Sequence, residues 1–409
     1  MEQVLTTPVG IPVSAMPLKR ATYRIDSIDL LRGLVMIVMA LDHTRDFFHS
    51  QAWTDDPLNM ATTTPWLFLT RWITHFCAAV FVFLAGTSAW FQTKRKSKKE
   101  LSRLLITRGL WLILVEIVLV NFSFSFDPHF YFVGLQTIWA IGISMIILGL
   151  VIWLPFAAIL AIGSLIVLGH NSLDFYEAGH KGNYDFFYAL LHHQQLFLLD
   201  SKHAFIIMYP FLSWAGLMMM GYCFGKFFTH YEGVERKKML TKLGIGIILF
   251  FIALRATNLY GNPEHWSTQK NALFTIFSFI DTHKYPPSLL YMCMTIGPAI
   301  LFIGWAGSVK NGLTKFVTIY GRVPFFYYVI HFYLIHTISM LFFLARGHSF
   351  SSGIYNDFRT GPNFIVPGEG YSLWVVYAVW LFVVVSLYPV CKWFSEYKKT
   401  HSQWWLSYL

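Results

Sequence analysis

Charged residues are scarce in this chain of 409 residues: they make up 13% of it, and the mean hydropathy is +0.51. Apolar runs of about 18 or more residues recur from one end to the other, which is close to the length that a helix needs to cross a bilayer. These runs lack the polar faces of helices in soluble proteins and the period-two alternation of a membrane β-barrel. The sequence therefore predicts an all-α, polytopic integral membrane protein.

Cysteine is also rare. The four cysteines all fall in or beside apolar runs, and they are Cys77, Cys223, Cys293 and Cys391. We expect free thiols and no disulfide framework. Residues 1–16 lack a basic start followed by a long apolar core, so we expect no cleavable signal peptide.

The hydropathy pattern predicts about ten transmembrane spans. They cover residues 28–48, 66–92, 101–122, 135–153, 155–170, 204–228, 242–260, 287–306, 317–344 and 371–392. Breaks between them coincide with turn-forming residues, such as Pro155 and the Gly/Pro/Asn-rich stretch 361–370. The resulting division is a cytoplasmic N-terminal segment of residues 1–27, a transmembrane domain of residues 28–395 and a cytoplasmic tail of residues 396–409. No internal repeat is visible.

The net charge of +10 sets the orientation of the chain rather than indicating nucleic-acid binding. The basic residues cluster in alternate short loops, on one side of the predicted membrane: Lys19, Arg20, Arg24, residues 94–99, residues 235–238, Lys310, Lys315, Lys392, Lys398 and Lys399. Because cytoplasmic loops are enriched in Lys and Arg, both termini are predicted to be cytoplasmic.

The first span is unusually polar for a membrane helix. It contains Asp29, Arg32, Asp42, His43, Arg45 and Asp46. Each charge near the bilayer centre costs about 2.5–3.5 kcal/mol on insertion scales, so a simple anchor would not retain them. We interpret the helix as the wall of a polar, functional interior.

Helical geometry gives this polar span a direction. Arg32 and His43 are eleven residues apart, which places them on one face and about 16 Å apart along the axis. If the helix continues, Asp46 can contact His43 or His49 and orient it as a general base. The alternative is structural: Asp29 and Arg32 form an interfacial ion pair, and the carboxylates of Asp42 and Asp46 are solvated at the outer end.

Other polar residues leave two interpretations open. Arg71 and His75 lie one turn apart in span two, and His331 lies among aromatic residues in span nine. Glu116, in the middle of span three, is either functional or paired with Arg108 or Arg255. Ten histidines lie in or near outward loops, at positions 49, 129, 170, 180, 192, 193, 203, 265, 283 and 348. Their spacing matches no zinc signature, and scattered surface histidines are the simpler interpretation.

Three sequence blocks resemble a known family. The first, IDSIDLLRGLVMIVMALDH, resembles the opening of the heparan-α-glucosaminide N-acetyltransferase catalytic-domain family, which belongs to a wider set of transmembrane acyltransferases. The second block, Pro65 to Trp90, resembles the family's proline-led aromatic helix ending in F-x-G-x-S. The third, Tyr320 to His336, resembles a late block in which a glycine precedes a histidine by ten residues. The resemblance covers about residues 24 to 395.

The resemblance implies that a cytosolic acyl-CoA, expected to be acetyl-CoA, gives its acyl group to a sugar or glycan on the far side of the membrane. It implies His49 as the catalytic histidine, because His49 precedes Trp53 as in the lysosomal enzyme. The R-x10-H spacing of Arg32 and His43 is instead the hallmark of acyltransferase-3 type enzymes, and it favours His43.

The remaining roles follow from that reaction. Asp42 or Asp46 would orient the base; Arg32, Arg103 and Arg108 would bind the CoA phosphates. Oxyanion or substrate contacts are expected from Arg71, His75, Asn59 and His331. Expected partners are acyl-CoA, a carbohydrate acceptor and membrane lipid, and neither nucleic acid nor a metal is expected. The sequence leaves the oligomeric state open, and a homodimer is one alternative. A bacterial inner membrane is the expected location. The alternative function is a transporter or flippase for a polar or lipid-linked solute.

Overall fold

The computed structural model describes residues 26–307 and 309–407, which are predominantly helical. The α-helices are α1 (Asp26–Phe48), α2 (Pro65–Gln92), α3 (Lys98–Val115), α4 (Asn121–Ser125), α5 (Thr137–Val151), α6 (Phe156–Gly169), α7 (Ser172–Gly179), α8 (Phe186–Leu191), α9 (Phe211–Phe224), α10 (Phe227–His230), α11 (Gly233–Thr257), α12 (Ala272–Ile280), α13 (Leu289–Ala306), α14 (Gly312–Arg322), α15 (Pro324–Ala345) and α16 (Leu373–Thr400). A π-helix (Glu116–Val120) joins α3 to α4, and short 3₁₀ helices cover Phe350–Gly353, Phe358–Thr360 and Trp404–Ser407. Residues 1–25, including the predicted basic positions Lys19, Arg20 and Arg24, lie outside the described residues.

Seven helical segments within the described residues are long and apolar enough to cross a membrane. They are Pro65–Gln92, Lys98–Ser125, Phe156–Gly179, Gly233–Thr257, Leu289–Ala306, Pro324–Ala345 and Leu373–Thr400. The protein is therefore an all-α, multi-pass integral membrane protein, as predicted. The other three predicted spans also contain helices, but α5 and α9 are short and α1 carries many charges. Length and composition thus support seven of the ten spans.

Two predicted spans have a different local structure. The span at residues 204–228 begins as a strand, and its helix α9 starts only at Phe211, after Pro210. The span at residues 317–344 is split, because α14 ends at Arg322 and α15 begins at Pro324. Proline at the first position of α15 fits a helix start, since its missing N–H is not needed there. A hydropathy average detects neither break.

A small sheet lies in the segments between the spans. Its strands are β1 (Phe132–Leu135), β2 (Gln195–Leu198) and β3 (Ala204–Ile207), in the order β1-β3-β2. β1 pairs with β3 in parallel, with Phe132 opposite Ala204, and β2 pairs with β3 antiparallel, with Gln195 opposite Ile207. The sheet was not predicted, because its strands are only four residues long.

Helix α1 is the central helix of the fold. It packs against α2, α13, α14, α15 and α16, so most of its polar residues face protein rather than lipid. The flanking helices differ in burial: 67% of the most apolar window of α2 is buried, against 22% of that of α11. This position explains how a helix with seven charged or ionisable residues is tolerated in the membrane.

Glycines mark five of the closest helix contacts. They form the facing pairs Gly33 and Gly321 (α1–α14), Gly86 and Gly221 (α2–α9), Gly109 and Gly142 (α3–α5), Gly163 and Gly216 (α6–α9), and Gly244 and Gly297 (α11–α13). A Cβ on Gly321 would overlap the backbone oxygen of Asp29. Small residues of this kind let membrane helices approach closely, where packing rather than the hydrophobic effect drives association.

Candidate active site

A cavity of about 370 Å³ enters the protein from the side predicted to be cytoplasmic. Its mouth is basic, lined by Arg32, Arg108, Arg322 and Lys398 with the single carboxylate of Asp29. Its interior is apolar, lined by Met36, Met39, Phe81, Leu112, Ile138 and Phe325. The charge excess at the mouth favours anions, whereas the interior suits an uncharged chain.

The arginines at the mouth are held by different partners. Arg32 donates to the Leu84 carbonyl oxygen at 3.2 Å and to the Ser88 hydroxyl, and its Nη1 lies 3.5 Å from Asp29 Oδ1. The Nε of Arg322 is buried and has no hydrogen-bond partner in the described part of the chain. An unsatisfied buried donor beside a basic cavity is consistent with an anionic ligand at this mouth.

One face of α1 leads from the mouth to His43. Arg32, Met36 and Met39 line the cavity at spacings of four and three residues, and His43 is the next residue on that face. At the inner end the cavity is lined by Tyr328, whose ring centroid lies 6.4 Å from that of His43. The predicted line from Arg32 to His43 is therefore a cavity wall that ends beside an imidazole.

His43 is paired with a second histidine rather than with a carboxylate. His43 Nδ1 lies 2.7 Å from His331 Nε2, and the ring of His43 stacks on Phe332 with centroids 4.1 Å apart. His331 is fully buried, and its Nδ1 lies 3.1 Å from the Tyr327 carbonyl oxygen.

These contacts fix the proton positions on both rings. A carbonyl oxygen only accepts, so His331 Nδ1 carries a proton and donates to Tyr327. In the neutral His331 ring, Nε2 is then an acceptor, and His43 Nδ1–H donates to it. The remaining nitrogen of His43, Nε2, holds a free lone pair. His43 is thus set up as a base.

Beside this pair lies a buried ion network at the outer end of α1. Asp42 accepts from Arg45 at 2.9 Å and from Arg71 at 2.5 Å, and Arg45 also donates to Asp46 at 2.6 Å. Arg71 reaches further, to the Tyr285 hydroxyl at 3.4 Å. The network joins α1, α2 and the segment that precedes α13.

That segment contributes a lysine and a perturbed tyrosine. Lys284 is only 8% exposed and lies within electrostatic range of Asp42 and His43. Burial acts to raise the pKa of Tyr285, but the positive charges of Lys284 and Arg71 lower this pKa to about 8. The cluster combines three basic side chains, Arg45, Arg71 and Lys284, with the carboxyl groups of Asp42 and Asp46, and basic groups beside a reacting carbonyl favour a developing oxyanion.

A scan against protein families matches residues 24–260 to the family described as heparan-alpha-glucosaminide N-acetyltransferase, catalytic. The match spans more than half of the chain. The chain belongs to this family. It is accordingly a member of a family of membrane acetyltransferases, and the resemblance drawn from the first two sequence blocks is confirmed. No match is found among curated proteins. The late block with His331 lies beyond the matched residues.

In this acetyltransferase, the predicted orientation of a histidine by Asp46 or Asp42 is wrong. Within the described residues, neither carboxylate bonds to an imidazole; Asp42 bonds to Arg45 and Arg71, and Asp46 to Arg45. Arginine competes for these carboxylates because a charged guanidinium forms stronger hydrogen bonds than a neutral imidazole.

His49 occupies a different position from His43. Helix α1 ends at Phe48, and His49 is half-buried next to Tyr371, with its Nδ1 accepting from the Gln51 N–H at 3.3 Å. Burial and then the charge of Arg45 lower the pKa of His49. His49 lies six residues after His43, which corresponds to one full helical turn plus about 240° of rotation. His49 therefore does not lie on the face of α1 that lines the cavity.

Two predicted residues are not part of this arrangement. Asn59 is exposed in the loop before α2, where its side chain bonds to Asp55 and to the Ala61 N–H. Arg103 is exposed on α3 and does not line the cavity, whereas Arg108 on the same helix does. His75, by contrast, is 1% exposed in α2 near Arg71, and its Nδ1 has no partner among the described residues.

The carboxylate of Glu116 accepts a hydrogen bond from a backbone N–H rather than from an arginine. Its Oε2 accepts from the Trp139 N–H at 3.0 Å, at the start of α5, and the carboxylate lies within electrostatic range of Tyr328. Arg255 is occupied by backbone carbonyls, including that of Phe279. The predicted pairing of Glu116 with Arg255 is therefore wrong.

Sequence reasoning missed Arg322, Lys398 and Lys284. Arg322 directly follows Gly321 of the late block, and this adjacency is the sequence signal by which it could have been identified. Lys398 was read only as an orientation signal, and Lys284 lies in a loop whose folding back over Asp42 has no local signature. Long-range packing alone brings them to the site.

Proposed function

We propose that the protein transfers an acetyl group from cytosolic acetyl-CoA to an amino or hydroxyl group of a carbohydrate acceptor on the extracytoplasmic side of a bacterial inner membrane. The observation that supports this proposal is the cavity that leads from a basic mouth along α1 to Tyr328, whose ring lies beside His43. The domain of residues 28–395 would contain the whole route.

The basic mouth and the apolar interior of this cavity suit the two chemically different parts of acetyl-CoA. The phosphates of acetyl-CoA would lie against Arg32, Arg108, Arg322 and Lys398, because guanidinium and ammonium groups bind phosphate through charge-assisted hydrogen bonds. The uncharged pantetheine arm would run past Met36 and Met39. The thioester would then reach His43, about 16 Å from Arg32 along α1.

In the proposed reaction, His43 Nε2 removes the proton from the acceptor amine or hydroxyl as the acceptor attacks the thioester carbonyl. The C–S bond breaks, the acetyl group remains on the acceptor, and the thiolate of CoA takes the proton from His43. A route through an acetyl-imidazole on His43, followed by transfer to the acceptor, conserves the same atoms. Arg71, Lys284 and His75 surround the position where negative charge develops.

His331 serves as a positioning residue in this scheme. Its Nε2 accepts the Nδ1–H of His43, which keeps the lone pair on the reacting nitrogen. His49 is the second candidate base, at the outer end where an acceptor would arrive. The family resemblance favours His49, while the cavity and the His43–His331 pair favour His43.

The decisive experiment measures acetyl-CoA turnover by purified protein with a panel of amino-sugar and glycan acceptors. Arg108→Gln should raise KM for acetyl-CoA about tenfold and leave KM for the acceptor unchanged. Arg103→Gln is the matched control, because Arg103 is on the same helix but outside the cavity. Equal effects of the two variants would contradict the proposed donor route.

The same assay separates the two histidines and the two function classes. His43→Ala should abolish turnover, whereas His49→Ala should retain it if His43 is the base. Retention of wild-type turnover by both variants would refute the assignment of either histidine. Uptake of a solute by reconstituted protein without any acetyl-CoA turnover would support a transporter instead.

A further inference from the structure

A group of potential metal ligands lies outside the active site, in the segment between α6 and β2. One ligand atom each from Asp174, Glu177 and His192 lie within 4.8 Å of one another. We propose that these three side chains bind a zinc ion on the extracytoplasmic side of the protein. The inference is independent of the acetyltransferase proposal and revises the expectation that the chain binds no metal.

Local helix geometry brings two of the ligands together. Asp174 and Glu177 are three residues apart on α7, so their carboxylates lie on one helix face. His192 directly follows α8, whose start is capped by Asp185 through the N–H groups of Phe187 and Tyr188. The two short helices therefore bring a carboxylate pair against a fully buried imidazole.

Surrounding hydrogen bonds hold these ligands in place. Asn171 donates to Asp174 Oδ2 at 2.7 Å, and its own Oδ1 accepts from the Leu289 N–H at 2.8 Å. Tyr188 donates to Glu177 Oε1 at 3.1 Å. Fixed hydrogen-bond partners of this kind are characteristic of metal ligands, because they orient the donor atoms before the ion arrives.

His170 contacts the second ring nitrogen of His192, the one that Glu177 does not contact. It is 3% exposed, and its Nδ1 lies 3.1 Å from His192 Nε2. With zinc on His192 Nδ1, the His192 Nε2–H would donate to His170, the arrangement usual for a ligating histidine.

The donor set favours zinc over other common ions. Calcium and magnesium prefer oxygen ligands alone, whereas zinc takes imidazole nitrogen together with carboxylate oxygen in four-coordinate sites. A fourth ligand is available from His193, whose Nδ1 lies 3.1 Å from Glu177 Oε2, or from water. A dication also offsets the repulsion between two neighbouring carboxylates. Bound zinc would tie α7 to the end of α8.

The test measures metal content of the full-length protein purified with a tag that contains no histidine. After equilibration with micromolar zinc and removal of free metal, elemental analysis should find about one zinc per chain. Zinc should also raise the Tm in detergent, and magnesium should not. Asp174→Asn and His192→Gln should each lower the bound zinc at least fivefold.

Two features keep the experiment interpretable. His203→Gln is the matched control, because His203 pairs with Asp200 at 2.8 Å on an outward loop, and no third ligand joins them among the described residues; it should keep the bound zinc. Asp174→Asn retains an acceptor for Asn171, so it tests the site even if His192→Gln fails to fold. Metal-free wild-type protein, or equal zinc in Asp174→Asn and wild type, would overturn the proposal.

Discussion

Two histidines from distant parts of the chain form the centre of the candidate site. The sequence singled out His43 because of its spacing from Arg32 and its cost in a membrane helix. It could not identify His331 as the partner of His43, since 288 positions separate them. The carboxylates predicted for this role pair with arginines instead, and only the folded arrangement decides that competition.

Substitution of His331 should reveal how much the His43–His331 hydrogen bond contributes to the rate of the reaction. His331→Leu removes the acceptor for His43 Nδ1–H, and we expect kcat to fall about 10²-fold, the lower end of general-base effects. The KM for acetyl-CoA should not change, because His331 does not line the cavity. His331→Gln places an amide oxygen near the position of Nε2 and should restore much of the rate. A fall in KM alone, or no rescue by Gln, would argue against the positioning role.

A different histidine should make stability depend on pH. His283 Nδ1 lies 3.1 Å from Glu264 Oε1, and its Nε2 lies 3.0 Å from the Tyr285 carbonyl oxygen. Burial acts to lower the pKa of His283, but the hydrogen bond and charge of Glu264 outweigh it and raise this pKa above 6.5. The doubly donating imidazolium is therefore favoured in the folded protein.

The sign of the effect follows from that shift. Stabilisation by charged His283 is fully present below its unfolded pKa of about 6.5 and is lost as the pH rises through the higher folded pKa. The Tm difference between wild type and His283→Gln should be largest near pH 6 and vanish at high pH. For a pair partly exposed to solvent the effect should be below about 1 kcal/mol. A difference that grows with pH would contradict it.

At the scale of elements, facing glycines decide how closely the helices pack. Gly33 and Gly321 let α1 and α14 touch beside the basic mouth of the cavity. In the late sequence block, the only distinguishing property of Gly321 is that it precedes His331 by ten residues. Its actual role is steric, since any side chain there would collide with the backbone of α1.

Substitution of this glycine should separate the two helices. Gly321→Ala should destabilise the protein by about 1–3 kcal/mol, the usual cost of overpacking, and should raise KM for acetyl-CoA by displacing Arg32 and Arg322. Thermal unfolding in detergent and steady-state kinetics would measure both. Gly312→Ala, at the open start of α14, should change neither, because no described residue lies within 4 Å of a Cβ there. Similar losses in both variants would refute the close-contact explanation.

Secondary structure was predictable where hydropathy is strong and long. Helices occupy all ten predicted spans, whereas the four-residue strands, the split at Pro324 and the strand before α9 were missed. These features depend on a few backbone hydrogen bonds and on a proline, and such local events leave little trace in an average over about 20 residues.

At the scale of the whole molecule, the charge bias sets which end of the cavity meets the donor. The basic loops lie with the mouth that contains Arg108 and Lys398, on the side predicted to be cytoplasmic. All four native cysteines are free, and Cys77, Cys223 and Cys391 are buried, as expected from their positions in apolar runs. The protein thus offers a low background for cysteine labelling.

Labelling tests this orientation directly. In intact cells a membrane-impermeant maleimide should react with Lys181→Cys, in the outward segment after α7, and not with Lys238→Cys, near the start of α11. Both lysines are exposed, so they are matched in accessibility. Permeabilised cells should label both variants. Labelling of Lys238→Cys alone in intact cells would reverse the topology and place the cavity mouth outside.

The sequence by itself determined the membrane class, the family and the polar face of α1, because hydropathy, charge bias and the R-x10-H spacing are local properties of the chain. The tertiary structure decided which groups meet on that face. It replaced Asp46 by His331 as the partner of His43, excluded Asn59 and Arg103, and added Lys284, Arg322 and the cluster around Glu177. Such contacts depend on the packing of helices that are hundreds of residues apart, and a polar residue takes whichever partner that packing brings nearest.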